Sequence, residues 1–108
     1  MSIELPKPIE RYLTADRGDC ETVALCFTDN AVVKDEGNIY HGLAAIKQWK
    51  TESSKKYTYT SEPFACTNTD GKIIVTSLLT GNFPGSPINL RYIFGINDNK
   101  IAYLEITL

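Results

Sequence analysis

The sequence has no surplus of basic residues: 11 Lys and Arg stand against 13 Asp and Glu, for a formal net charge of -2. Nucleic-acid binders carry a clustered basic excess, and the one adjacent basic pair here is Lys55-Lys56, so no nucleic-acid partner is expected. Cysteine is scarce as well. Cys20, Cys26 and Cys66 cannot pair completely, and no CxxC or Cys-plus-His spacing suggests a zinc site, so they read as small hydrophobes and no metal or cofactor is expected. The single histidine, His41, has no Gly-x-Ser-x-Gly context to serve, which argues against a Ser-His-Asp or Cys-His nucleophile. No run approaches the roughly 20 apolar residues that span a bilayer, and Met1 to Pro8 lack the apolar core of a signal peptide, so a reducing cytoplasm and no membrane partner are expected. Repeats, low-complexity segments and linkers are absent too. The 108 residues, 43% of them hydrophobic, therefore read as one domain spanning 1–108.

What is present is orderly. Ile9, Tyr12 and Leu13 recur at helical spacing after Pro8, which suits a first helical turn, and Gly18 offers a left-handed stop. Asp19 can cap a second, short helix in which Val23, Cys26 and Phe27 share a face, with Asp29-Asn30 turning the chain away. A third helix runs from Leu43 to about Lys56, with Leu43, Ile46, Trp49 and Lys50 on one side. Between the last two helices, Ala31–Asp35 and Asn38–His41 are short extended pieces about a Glu36-Gly37 turn. After Tyr57 the chain is almost pure strand: 57–67, 72–83, 88–96 and 101–107, separated by Asp70-Gly71, Pro84-Gly85-Ser86-Pro87 and Asn97-Asp98-Asn99. A period of two puts Leu90, Tyr92, Phe94 and Ile96 on one face of the third long strand. Helices at one end and a meander at the other predict an α+β fold: a cone-shaped, curved antiparallel sheet with three N-terminal helices on its concave face.

Several stretches then carry a resemblance: Ile9-Glu10-Arg11-Tyr12, Asp19 and Phe27, Asp29 to Asp35, Gly42-Leu43-Ala44-Ala45-Ile46, Gly81 to Tyr92, and Asp98 to Leu104. Their order and spacing resemble the nuclear transport factor 2-like (cystatin-like) superfamily, and the later stretches its SnoaL-like branch. The first half is also similar to ketosteroid isomerase, the standard example of carboxyl groups tuned by their environment. The resemblance implies that Tyr12 matches an oxyanion-donating Tyr and Asp35 a general-base Asp. The late position at which that isomerase places a protonated Asp falls, by an approximate count, on Tyr92, which argues against true steroid isomerase activity.

Such a set has coherent chemistry. A carboxylate can remove a proton beside a carbonyl when phenols such as Tyr12 and Tyr92 meet the enolate oxygen, and apolar walls such as Val33, Phe94 and Trp49 would raise its proton affinity. Parity supports convergence, since Asp35 alternates with Val33, Tyr12 shares a helix face with Ile9, and Tyr92 alternates with Leu90 and Phe94. Bland roles compete: an Asp ending a strand forms turns, and a Tyr or Trp on an apolar helix side fills core, the role favoured for Trp49. Tyr40 is large enough to line a cavity, and His41, just before Gly42, could lean over its mouth. The Phe83 to Pro87 loop is a rigid hairpin or a lip of the cone. Nothing basic sits beside Cys66 to activate it.

Three functions follow: a cofactor-free isomerase, cyclase or dehydratase with Asp35 as base, a non-catalytic binder of a small apolar molecule, or an association module. Members of the superfamily commonly dimerise through the outer sheet face, so a homodimer using Ile93, Arg91 and Thr76 is expected.

Overall fold

The computed structural model describes residues 5–15, 20–56 and 58–107. Three helices, α1 (Lys7–Ala15), α2 (Cys20–Leu25) and α3 (Leu43–Lys56), accompany six strands: β1 (Phe27–Asp35), β2 (Asn38–His41), β3 (Tyr59–Thr69), β4 (Lys72–Gly81), β5 (Ile88–Asn97) and β6 (Lys100–Thr107). Pro8 occupies the first turn of α1, where its missing N–H costs nothing, while the Pro6 carbonyl accepts from the Ile9 and Glu10 amides. The predicted stop at Gly18 and cap at Asp19 lie outside the described residues. Among the described residues no helix is long and apolar enough to cross a membrane.

The strands form one open sheet in the order β2-β1-β6-β5-β4-β3, with β2 and β3 at its edges. Three of its hairpins close through two-residue turns in which both central residues have positive φ: Glu36-Gly37, Asp70-Gly71 and Asp98-Asn99. This is the primed turn geometry whose twist matches that of the strands it joins. The fourth connection, β4 to β5, is the longer loop around Pro84. It is pinned at Gly81, where a Cβ would collide with the Thr58 carbonyl and Tyr59 Cβ, and by the Ser86 hydroxyl accepting from the Gly81 amide at 2.8 Å.

The predicted α+β architecture stands, with two differences. The sheet is mixed, because β1 runs parallel to β6 while the other four pairings are antiparallel. The crossover through α3 carries the chain from β2 to the far edge, and the meander then returns β6 beside β1 in the same direction. The second difference is that Phe27 and Asp29-Asn30 belong to β1, not to α2 and a turn. A register shift between Phe27 and Val32 absorbs the irregularity, so Phe27 pairs with Ile101 and stays fully buried.

Alternation then separates the faces. Val75, Leu79, Tyr92, Phe94 and Leu104 join Ile9, Tyr12, Val23, Ile46 and Trp49 in one buried core between sheet and helices. Inside it, Tyr12 meets Phe27 and Phe94 edge-on, with ring centroids 5.7 and 5.8 Å apart, and Tyr92 stacks on Phe94 at 6.3 Å.

Candidate functional site

A partly open cavity of about 730 Å3 lies between α3, the β1-β2 hairpin and the inner face of the meander. Its floor is aromatic and aliphatic, with Tyr12, Leu79, Leu90 and Tyr92 contributed by α1, β4 and β5. Asp35, at the end of β1, and Trp49 and Lys50, on α3, supply its polar side, while Phe83 and Pro84 of the β4-β5 loop form part of its rim. Among the described residues no group of three or more His, Cys, Asp or Glu is placed to hold a metal ion.

Asp35 is the pivot of this arrangement. It is half-buried where the β1-β2 hairpin begins, and its Oδ2 accepts a hydrogen bond from the Trp49 indole N–H at 2.9 Å. Burial pushes its carboxyl above the usual value of 3.8. The Trp49 hydrogen bond pulls against this, the neighbouring Glu36 charge adds to it, and the Lys50 charge opposes it. Desolvation is the largest influence, so the protein holds a carboxylate more basic than one in water, at a fixed orientation, on the wall of a cavity with an aromatic and aliphatic floor.

The shift has a stability signature. Because the folded carboxyl binds its proton more tightly than the unfolded one, the stability Asp35 contributes is fully present below its unfolded value, near 3.8, and is lost as pH rises through the raised folded value. Asp35→Asn keeps the shape and an acceptor for the indole but cannot ionise. Thermal unfolding of both proteins between acid and neutral pH should therefore show the Asn variant gaining on the wild type as pH rises. A pH-independent difference would mean that Asp35 titrates alike in folded and unfolded chains.

Of the residues singled out in the sequence, Asp35, Tyr12, Tyr92, Tyr40, Trp49 and Leu90 all line this cavity. Val33 and Phe94 do not, because both are completely buried in the core behind it. His41 is also outside the lining: it is exposed, and as the strand neighbour of Tyr40 it points to the opposite face of β2. Trp49, read as core filler, does pack in the core and additionally orients Asp35. Sequence reasoning missed Lys50, Tyr59, Ile88 and Ile106 as cavity residues, whereas the Phe83 to Pro87 loop, read as a rigid hairpin or a lip of the cone, supplies Phe83 and Pro84 to the rim. One signal was available, since Lys50 is a lysine on the apolar side of α3; the others depended on how β3, β5 and β6 stack side by side.

Three helices laid on one face of an open six-stranded sheet, with a cavity between them, define the nuclear transport factor 2-like class of α+β proteins. No family model and no curated protein matches the chain. Among solved structures it is similar to a candidate polyketide cyclase from Sinorhizobium meliloti, at 38% identity over 95% of each chain and a TM-score of 0.90. A protein of ketosteroid isomerase-like fold from Catenulispora acidiphila, solved in complex with trimethylamine, shares the fold at 12% identity and a TM-score of 0.84, over 97% of this chain and 87% of that one. The epoxide hydrolase/cyclase-like enzyme SalBIII of salinomycin pyran-ring formation shares it at 20% identity and a TM-score of 0.76, over 93% and 86%. The chain belongs to the nuclear transport factor 2-like superfamily, in its SnoaL-like branch, alongside polyketide cyclase-like and ketosteroid isomerase-like proteins.

Proposed function

We propose that the cavity takes a small, largely apolar molecule and that Asp35 moves a proton on it without a cofactor, in an isomerase, cyclase or dehydratase type of reaction. The observation that carries this reading is the placement of Asp35: a desolvated carboxylate, oriented by the Trp49 indole, on the wall of a cavity whose floor is aromatic and aliphatic. A base of this kind works when its proton affinity is raised toward that of the carbon acid and the charge it displaces meets preorganised donors. Tyr12 and Tyr92 share the cavity and supply phenols for that purpose. The cyclase-like names of the structural relatives agree with proton-transfer chemistry in this fold.

The test is proton exchange at carbon. The protein is incubated in D2O with a bicyclic ketone such as β-tetralone, and deuterium incorporation beside the carbonyl is followed by NMR. Acceleration over buffer supports the reading. Tyr12→Phe should slow exchange by about 10- to 1000-fold, as expected for one oxyanion donor among several. Binding of the ketone with no exchange would replace this reading with that of a non-catalytic ligand carrier.

We also propose that two copies associate through the outer sheet face, which the helices leave uncovered. Ile74 and Ile93 are cross-strand partners there, and Ile39, 66% exposed, and Leu78 add apolar surface. The Tyr103 ring beside them lies under the Lys72 ammonium at 4.5 Å and donates its hydroxyl to Glu105 at 2.7 Å, giving the patch a polar centre. Light scattering at tens of micromolar should report a dimer mass, and Ile93→Glu should return it to monomer. A monomeric wild type would end the proposal.

A further inference from the structure

Proton transfer to Asp35 gives Tyr40 no part, although this half-buried residue lines the same cavity. Strand pairing places the two side by side: on the β1-β2 hairpin Asp35 stands opposite Asn38, and Val33 opposite Tyr40. Paired residues share a face, so Asp35 and Tyr40 are diagonal neighbours on the cavity side, with Cβ atoms roughly 7 Å apart. Trp49 links them. Its indole N–H donates to Asp35 Oδ2 at 2.9 Å, and its ring packs against that of Tyr40 at a centroid distance of 6.1 Å and a tilt of 36°. The phenol is held by its ring and not by its hydroxyl. Among the described residues no hydrogen bond engages the Tyr40 hydroxyl, and its oxygen is not sealed from solvent. Tyr12 and Tyr92 are only 1% and 2% exposed, so a small part of each borders the cavity.

We propose that Tyr40 is the phenol that donates to the ligand's oxygen, so that the ligand turns a carbonyl or enol oxygen toward β2 and lays its apolar skeleton over Leu79 and Leu90. The inference rests on the cavity being the ligand site and, for its catalytic part, on Asp35 being the base. The span fits that chemistry. A base that removes a proton beside a carbonyl stands about 3–3.5 Å from the carbon. That carbon lies roughly 2.4 Å from the carbonyl oxygen, to which a phenol donates at about 2.7 Å. Base and donor must therefore stand within about 8 Å of each other, a distance that neighbours on one hairpin face satisfy.

The step balances without a further reactant. The C–H bond beside the carbonyl breaks, its proton goes to the Asp35 carboxylate, its electron pair forms the C=C bond, and the carbonyl π pair moves onto the oxygen. Tyr40 stabilises that oxygen by donating its O–H and keeps its proton. A donor of this kind counts most in the transition state, because its hydrogen bond strengthens as charge gathers on the acceptor. Trp49 then serves base and donor together, holding one by its N–H and the other by its ring.

Tyr40→Phe tests this in the intact protein, since it keeps the ring against Trp49 and removes only the hydroxyl. Deuterium exchange into β-tetralone should slow about 10- to 1000-fold, in kcat more than in KM, with thermal unfolding unchanged. Fluorescence titration supplies a second readout with 2-naphthol, a planar mimic of the enol, and naphthalene, which lacks the oxygen. The wild type should bind 2-naphthol more tightly, and Tyr40→Phe should shrink that preference about 3- to 10-fold while naphthalene binds as before. A wild type that shows the Tyr40-dependent preference but no exchange ends the proton-transfer reading and keeps Tyr40 as the donor to the ligand's oxygen. Wild-type exchange in Tyr40→Phe, a preference for 2-naphthol that survives the substitution, or a loss shared equally by naphthalene binding and thermal stability overturns the proposal and leaves Asp35 as base. Binding of neither probe, with no exchange, overturns both.

Discussion

Replacing Asp35 with Asn is expected to lower the rate of deuterium exchange into a bound ketone by about 100- to 10,000-fold while leaving the fold intact. The amide keeps the size of the side chain and an oxygen for the Trp49 indole, so the hairpin at Glu36-Gly37 and the packing of α3 against β1 have no reason to move. What disappears is the lone pair whose proton affinity burial had raised. The loss should fall on the chemical step, with ketone affinity nearly unchanged. Trp49→Phe provides the companion measurement: it removes the indole donor that lowers the Asp35 carboxyl, so the pH at which exchange reaches half its maximum should move upward. Full exchange activity in Asp35→Asn would assign the chemistry elsewhere.

Phe94→Ala is expected to be the most damaging single truncation of the core, costing about 3–5 kcal/mol. Phe94 is completely buried, stacks on Tyr92 and meets Tyr12 edge-on, so both phenols of the cavity floor lean on it. A domain of this size has a total stability of about 5–15 kcal/mol, and the substitution should consume a large share of it. In urea the midpoint should fall steeply with the slope of the transition preserved. A loss below about 1 kcal/mol would show that the cavity floor closes over the missing ring and that Tyr12 and Tyr92 are held by other contacts.

These two residues also show where sequence reading succeeds. Parity along a strand placed Phe94 and Tyr92 on the same face, and helical spacing put Tyr12 beside Ile9, because both periodicities are local properties of the backbone. Parity could not say which inward residues would be sealed in the core and which would border open space. Val33 and Asp35 alternate together on β1, yet only Asp35 reaches the cavity, since Val33 sits farther from the hairpin and is covered completely. His41 was misplaced for a related reason: its closeness to Gly42 suggested the cavity mouth, but pairing with Val32 turned it away.

The sequence by itself determined most of the elements, the two-residue turns of three hairpins and the inward face of β5. The third helix begins at Leu43 and ends at Lys56 as its apolar spacing requires, and three hairpins fall where residues tolerant of positive φ occur in pairs or beside glycine. Only the tertiary structure decided that β6 lies parallel to β1, that Phe27 joins the sheet instead of the second helix, and that Trp49 bonds Asp35. The physical reason is one of range. Turn and period preferences act over a few residues, whereas the β1-β6 pairing joins segments some seventy positions apart in the sequence. The site has the same origin: burial raises the Asp35 carboxyl and Tyr59 receives the Lys50 ammonium only after distant segments close around both.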